Sequence, residues 1–414
     1  MFPLNFKLFY FFNKINIPFY IVLIGGCALV MITLGMNHGL GLYLVPITKH
    51  LDIGRELFGL SVALQVLFAG IGAPIFGGLA DKYGPGKTTL FGTIILIISR
   101  YWMANINDIF DLFGSLFLLG FGGGGFLGIA LGAVARSSKN HNRSLYVGII
   151  MSAGSFGQFI IVPIINILIQ KFGWVDSLYY MIYLSLALIL FCYFLSFSKN
   201  NQQTNIDSNQ TITEALKEAL SNKNFNLLTL GFFVCGFHIV FVSTHLPAFL
   251  EDQFLPAWVA GWALALIGLF NIIGTLMYGY LGDNFSKKNL LTGLYSLRSI
   301  LFLLFFLSPK TEFTVLIFSS MLGILWLSTV PLTSGLITDI FGPRYTSMLF
   351  GVSLLSHNIG SFFGSWIGGR IFDIYGSYDL MWVLCVFMGF VSAGLHFPIN
   401  GSALNKKSKL ISAN

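Results

Sequence analysis

Twelve stretches of almost uninterrupted apolar residues follow one another along the chain, parted by short polar turns and by one long polar interval near the middle. They run approximately over 18–46, 55–79, 88–105, 110–135, 144–168 and 174–197, then 225–250, 257–281, 289–307, 311–338, 346–369 and 378–399. Most contain the roughly 20 residues that carry a helix across a bilayer. Backbone N–H and C=O groups find no water in hydrocarbon, so these stretches are expected to bond within themselves as helices. The pattern predicts an all-α membrane protein with twelve transmembrane helices. The interval 198–224 opens with Asn- and Gln-rich sequence that has nothing to pack against. It closes with helical spacing over Ile212–Leu220, where Thr213 is a candidate cap. This linker divides the chain into two six-helix bundles, 18–197 and 225–399, with an interfacial segment at 1–17 and a tail at 400–414.

Charge sharpens the picture. Asp, Glu, Lys and Arg make up 9% of the 414 residues, against about 25% in soluble domains. Of the 23 Lys and Arg, sixteen fall on the side that holds the N-terminus, five fall on the other, and Arg100 and Arg298 lie within spans. By the positive-inside rule both termini are expected in the cytoplasm. The net charge of +7 is then that of the inward loops, and no nucleic-acid partner is needed to explain it; the partner the composition demands is the lipid bilayer. Cys27, Cys192, Cys235 and Cys385 all fall in spans, and read as small buried apolar residues rather than a disulfide or metal framework. The run from Phe121 through Gly122, Gly123, Gly124 and Gly125 lies in a span and lacks the Lys-Ser/Thr of a phosphate loop. With no nucleophile–base pair and no metal-ligand spacing either, neither an enzyme nor a cofactor is expected.

Each bundle repeats one punctuation mark between its second and third spans. The first copy carries Gly77, Leu79, Ala80, Asp81, Lys82, Gly84 and Lys87; the second carries Gly279, Leu281 and Asp283, with Asn284 in place of the base. Glycines permit close helix approach, and an acid in a basic turn can tie a helix end and release it when two bundles rock. This pair resembles the loop signature of the major facilitator superfamily of secondary transporters, and the resemblance covers roughly 18–399. It implies alternating access between the two bundles, with Gly77, Asp81, Lys82, Gly84, Lys87, Gly279 and Asp283 as gating-loop residues. It further implies a bacterial inner-membrane location, a small-molecule substrate and a working monomer.

Three segments, 235–249, 325–336 and 349–369, are similar to the monocarboxylate and oxalate–formate branch of that superfamily. This implies a small organic anion, such as a monocarboxylate, moved by proton-coupled symport or by exchange. One departure bears on it. That branch places an acid and an arginine on the eighth helix, whereas the matching stretch from Gly268 to Met277 is uncharged and offers Asn271. A drug, metabolite or neutral-solute exporter of the same fold is the alternative, and the uncharged eighth span and 43 phenylalanines fit it.

The candidates for substrate binding or proton coupling are the polar residues within spans. His38 follows Asn37 in span one, and His357 precedes Asn358 in span eleven. His238 and His245, seven apart in span seven, share one helical face. Histidine donates, accepts and takes a proton near neutral pH, so it suits both roles. Arg298, near the middle of span nine, needs a partner or a cavity. Arg100, nearer the end of span three, is expected to reach the interface by extending its side chain. Gln158, Asn271 and Trp326 complete the set, with Asn166, Ser243, Thr244, Ser328 and Thr329 as weaker members. No acid lies inside a span that faces the pathway; Glu251, Asp252 and Asp339 sit at span ends.

Overall fold

The computed structural model describes residues 17–137, 143–198, 212–342 and 346–400. The expected interfacial segment, the Asn/Gln-rich part of the linker and nearly all of the tail lie outside the described residues. The first bundle comprises α1 (Ile17–His38), a 3-10 turn (Leu40–Tyr43), α2 (Leu44–Leu51), α3 (Arg55–Tyr83), α4 (Pro85–Ala104), α5 (Ile109–Gly123), α6 (Phe126–Ser137) and α7 (Arg143–Leu195). Helix α7 turns at Gly173, whose φ is 86°, and so holds the fifth and sixth spans. A linker helix, α8 (Ile212–Ser221), precedes the second bundle. That bundle comprises α9 (Lys223–Asp252), α10 (Ala257–Asn284), α11 (Lys287–Leu307), α12 (Glu312–Leu325), α13 (Thr329–Phe341), α14 (Thr346–Tyr375) and α15 (Asp379–His396).

Among the described residues nine helical stretches are long and apolar enough to cross a membrane. The longest of these holds two spans, and α4 and α14 supply the remaining two of twelve. Helix α8 starts at Ile212, so Thr213 falls within it rather than capping it. The cap found nearby is Asn222, whose side chain accepts from the N–H groups of Asn224 and Phe225 at the start of α9.

Three spans that read as continuous in sequence are interrupted: span one at 39–43, span four at 124–125 and span ten at 326–328. Proline explains the resumption in two of them. Pro46 and Pro331 lie in the first turns of α2 and α13, where the missing N–H has no intrahelical partner to lose. In span four, Gly124 packs on the carbonyl of Ala69 and Gly125 on the ring-bearing carbon of Phe76, with no room for a side chain at either.

The bundles meet along two long contacts, α3 on α14 and α7 on α10, and where the 3-10 turn and α2 cross α9. Their two ends differ. The motif face carries the turn between α3 and α4, and the far face carries the 52–54 and 253–256 turns. At the motif face Gly84, with φ 94°, closes α3 and opens α4 in a conformation that favours glycine. There Arg136 pairs with Asp81 at 3.3 Å within the first bundle, and Lys287 with Asp339 at 2.9 Å within the second. The copies have exchanged polarity: acid in the loop and base on span four, then base beside the loop and acid on span ten. Asp283 is exposed, as are Lys82 and Lys87, and Lys82 rests 5.0 Å from the Tyr83 ring. The close helix approach expected at Gly77 and Gly279 is not made here, because a side-chain carbon at either would meet nothing within 4 Å.

Candidate functional site

A cavity of about 290 Å³ lies between the bundles, walled by α1, the 3-10 turn, α3, α9 and α14. Its polar lining comes from both bundles: Asn37, His38 and Gln65 from the first, Ser243, Thr244, His357, Asn358 and Ser361 from the second. Among the described residues no Asp, Glu, Lys or Arg lines it. The walls approach closely because Gly41, at the 3-10 turn, packs against the carbonyls of Ser243 and Thr244. That turn also ends α1 at His38, which leaves Asn37 and His38 on the last helical turn beside the space. Among the described residues no hydrogen bond joins the side chains of Asn37, His38, Gln65 or Asn358 to protein, and Nδ1 of His357 is unpartnered. The donors and acceptors of Asn37, His38, Gln65 and Asn358 are available to a solute, whereas His357 Nδ1 is itself buried and its ring packs 5.1 Å from that of Phe232. Gln65 escaped notice in the sequence, where its signal is that of a single amide within an apolar run of α3.

The structure thus brings Asn37, His38, His357 and Asn358 together, with the weaker candidates Ser243 and Thr244 beside them, and takes the other candidates elsewhere. His238 and His245 do share a face of α9, but it points into the second bundle. His238 Nε2 donates to the Cys385 carbonyl at 2.9 Å, and its ring packs edge-on against Phe302. His245 Nε2 donates to the Ser365 carbonyl at 2.7 Å, with Nδ1 3.0 Å from the Tyr378 hydroxyl. Arg298 is fully buried, and its Nη2 donates to the carbonyls of Leu325 and Trp326, where α12 ends. The last carbonyls of a helix carry partial negative charge and lack intrahelical donors, so the guanidinium holds the break in span ten. Asn271 holds the same break from the other side, accepting from the Leu327 N–H at 2.9 Å. Trp326 contributes its carbonyl to this arrangement rather than its ring to the cavity.

Asn271 also donates to Ser155 Oγ at 2.8 Å, and Gln158 donates to the Leu264 carbonyl at 2.8 Å. Asn166 donates to the Ala257 carbonyl at 2.9 Å. These bonds stitch the fifth span to the eighth across the bundle boundary. Sequence could identify such residues as polar in a span, but not which neighbour would take up the polarity.

A second cluster, at the far face, closes the bundles on one another above the cavity. Arg55 forks onto Asp252 through two bonds of 2.6 and 2.7 Å, with its guanidinium 3.7 Å over the Phe372 ring. It also donates to the Tyr378 hydroxyl at 3.3 Å. The Asp373 carboxylate accepts from the backbone N–H groups of Arg55 and Glu56 at 2.9 and 2.7 Å, capping α3 from the opposite bundle. Glu56 accepts from Trp366 and Arg370, and Lys49 pairs with Glu251. Through Tyr378 this network reaches His245, which the tertiary structure therefore assigns to the closure and not to the cavity. The pairs at the motif face, by contrast, each stay within one bundle. The arrangement is a polar chamber between two bundles, bolted at one end.

The family model described as Major Facilitator Superfamily matches residues 23–365 and 255–410 of this chain. An uncharacterized MFS-type transporter of Bacillus subtilis (strain 168), YcxA, is 22% identical over 381 residues, covering 86% of this chain and 90% of the relative. The oxalate:formate antiporter of Oxalobacter formigenes is 23% identical over 405 residues, covering 95% and 94%. Among solved structures, that of the nucleoside transporter NupG superposes with a TM-score of 0.75 at 16% identity, covering 92% of this chain and 99% of that one.

Proposed function

The chain belongs to the Major Facilitator Superfamily, and from that premise we propose that this transporter carries a small organic anion together with a proton. The observation that supports this most is the pair of histidines, His38 and His357, that face one cavity from opposite bundles. An imidazole can take up a proton and then donates from both ring nitrogens. Protonation turns a neutral chamber into a cationic one, and no carboxylate lines it to repel an anion or to claim the proton. Asn37, Gln65 and Asn358 then supply the donors that orient carboxylate oxygens. The volume, about 290 Å³, suits a small solute, at the lower end of the roughly 300–1,000 Å³ of ligand pockets. The oxalate:formate antiporter, aligned over nearly the whole chain, adds support for the anion class.

The charge bias of the loops supports a bacterial inner-membrane orientation with the motif face and both termini cytoplasmic. The far-face bolt then closes the chamber to the outside, and a single chain holds the whole pathway, which supports a working monomer. Alternating access proceeds as the Arg55–Asp252 and Asp373 contacts open while Asp81–Arg136 and Lys287–Asp339 keep each bundle's motif turn tied.

A neutral-solute reading rests on one specific observation: with both histidines unprotonated, the lining is uncharged throughout. Uptake of labelled formate, oxalate and lactate into proteoliposomes, with and without an inward proton gradient, separates the two. The anion reading predicts saturable, gradient-stimulated uptake that His357→Gln abolishes and His238→Gln leaves largely intact. Absence of carboxylate transport by folded protein, under gradient and exchange conditions alike, sinks it in favour of neutral solutes.

A further inference from the structure

Behind the 3-10 turn of span one lies a second, smaller chamber of about 10 Å³, room for about one water-sized species. Arg100 faces it. The sequence expectation that this side chain extends to the interface is not met, because Arg100 is only 4% exposed and turns into the first bundle. Among the described residues its one hydrogen bond is long, 3.4 Å from Nη1 to the carbonyl of Leu96 on its own helix. A guanidinium offers five N–H donors, and among the described residues no acid pairs with this one. The other polar walls are Asn37 and Tyr43, whose hydroxyl lies 2.9 Å from Ser177 Oγ. Met36, Met103 and Met181 supply much of the apolar remainder. Arg298 differs in that its Nη2 donates to the two carbonyls at the end of α12, although its Nε and Nη1 are buried without partners.

An unpaired cation in the membrane interior is costly unless something of opposite charge accompanies it. We propose that the chamber is a binding site for a monovalent inorganic anion of halide size, held by Arg100 with Asn37 and Tyr43 as further donors. Tyr43 donates when Ser177 in turn donates to it, and among the described residues the Asn37 amide has no protein partner. The chamber is far smaller than the substrate cavity, about 10 against about 290 Å³, which favours a monatomic anion over a carboxylate. Asn37 and Leu40 line both spaces, and through them the bound anion fixes one wall of the larger one.

The test needs no transport assay. Unmodified protein crystallised in bromide should show an anomalous peak within hydrogen-bonding distance of the Arg100 guanidinium. Its unfolding temperature should rise saturably when sodium gluconate is replaced by sodium chloride at constant ionic strength, by on the order of 2 °C or more. Sodium formate should not substitute, and Arg100→Gln should lose the chloride response. A chamber without bromide in well-ordered crystals, or an unfolding temperature indifferent to halide, overturns the proposal and leaves water as the occupant. The bromide result decides even if Arg100→Gln does not fold, and neither readout depends on the substrate being an anion.

Discussion

Replacing Asp252 by Asn should unbolt the far face. The Arg55–Asp252 pair is bidentate, at 2.6 and 2.7 Å, and its side chains are 13% and 29% exposed. Breaking a fully buried pair from one side costs about 3–5 kcal/mol, and an exposed pair contributes about 0.2–1 kcal/mol. Partial exposure discounts the first figure, and Arg55 keeps its bond to Tyr378 and its place over Phe372. About 2 kcal/mol is the resulting expectation, close to a 30-fold shift from far-face-closed toward far-face-open. Lys49→Gln is the internal control. Its pair with Glu251 bridges the same two bundles, but the side chains are 72% and 56% exposed, so under about 1 kcal/mol, or less than about fivefold, is expected. Spin labels on Asn107→Cys and Phe254→Cys, two exposed far-face positions on opposite bundles, would report the two populations by pulsed EPR distances. The background would lack the four native cysteines. Equal shifts in the two variants, or none with Asp252→Asn, would refute the argument that burial and bidentate geometry make this the principal bolt.

Two further outcomes follow from the packing. Arg298→Met should lower stability by about 2–4 kcal/mol, because the carbonyls of Leu325 and Trp326 lose their donor in an apolar surrounding. A lower unfolding temperature with unchanged substrate affinity checks this, whereas selective loss of affinity would return Arg298 to the substrate path. Gly41→Val should cost about 1–3 kcal/mol of stability and weaken solute binding, since any side chain there overlaps the carbonyls of Ser243 and Thr244; unaltered binding in the folded variant would count against the cavity's position.

Helix content and the number of spans follow from local pattern, because lipid leaves the backbone few alternatives, and the loop turns carry the residues by which the chain resembles its superfamily. The sequence also singled out Asn37, His38, His357 and Asn358, which sit next to one another in pairs on helices that the family resemblance places at the centre. Direction was beyond it. A helical span has several faces, and whether a polar side chain meets a solute, a carbonyl or the opposite bundle depends on neighbours hundreds of residues away. His245 bonds to Tyr378 and Ser365, Asn271 to Ser155 and Leu327, and Arg298 to the end of α12. Arg55, Asp252 and Asp373 read as ordinary span-end charges until the fold sets them against one another. Composition and periodicity determined that this protein lives in a membrane as two bundles. Only the tertiary structure decided which of its few buried polar groups remain unsatisfied, because a hydrogen bond is a property of two partners and their separation, and the chain order records only one partner at a time.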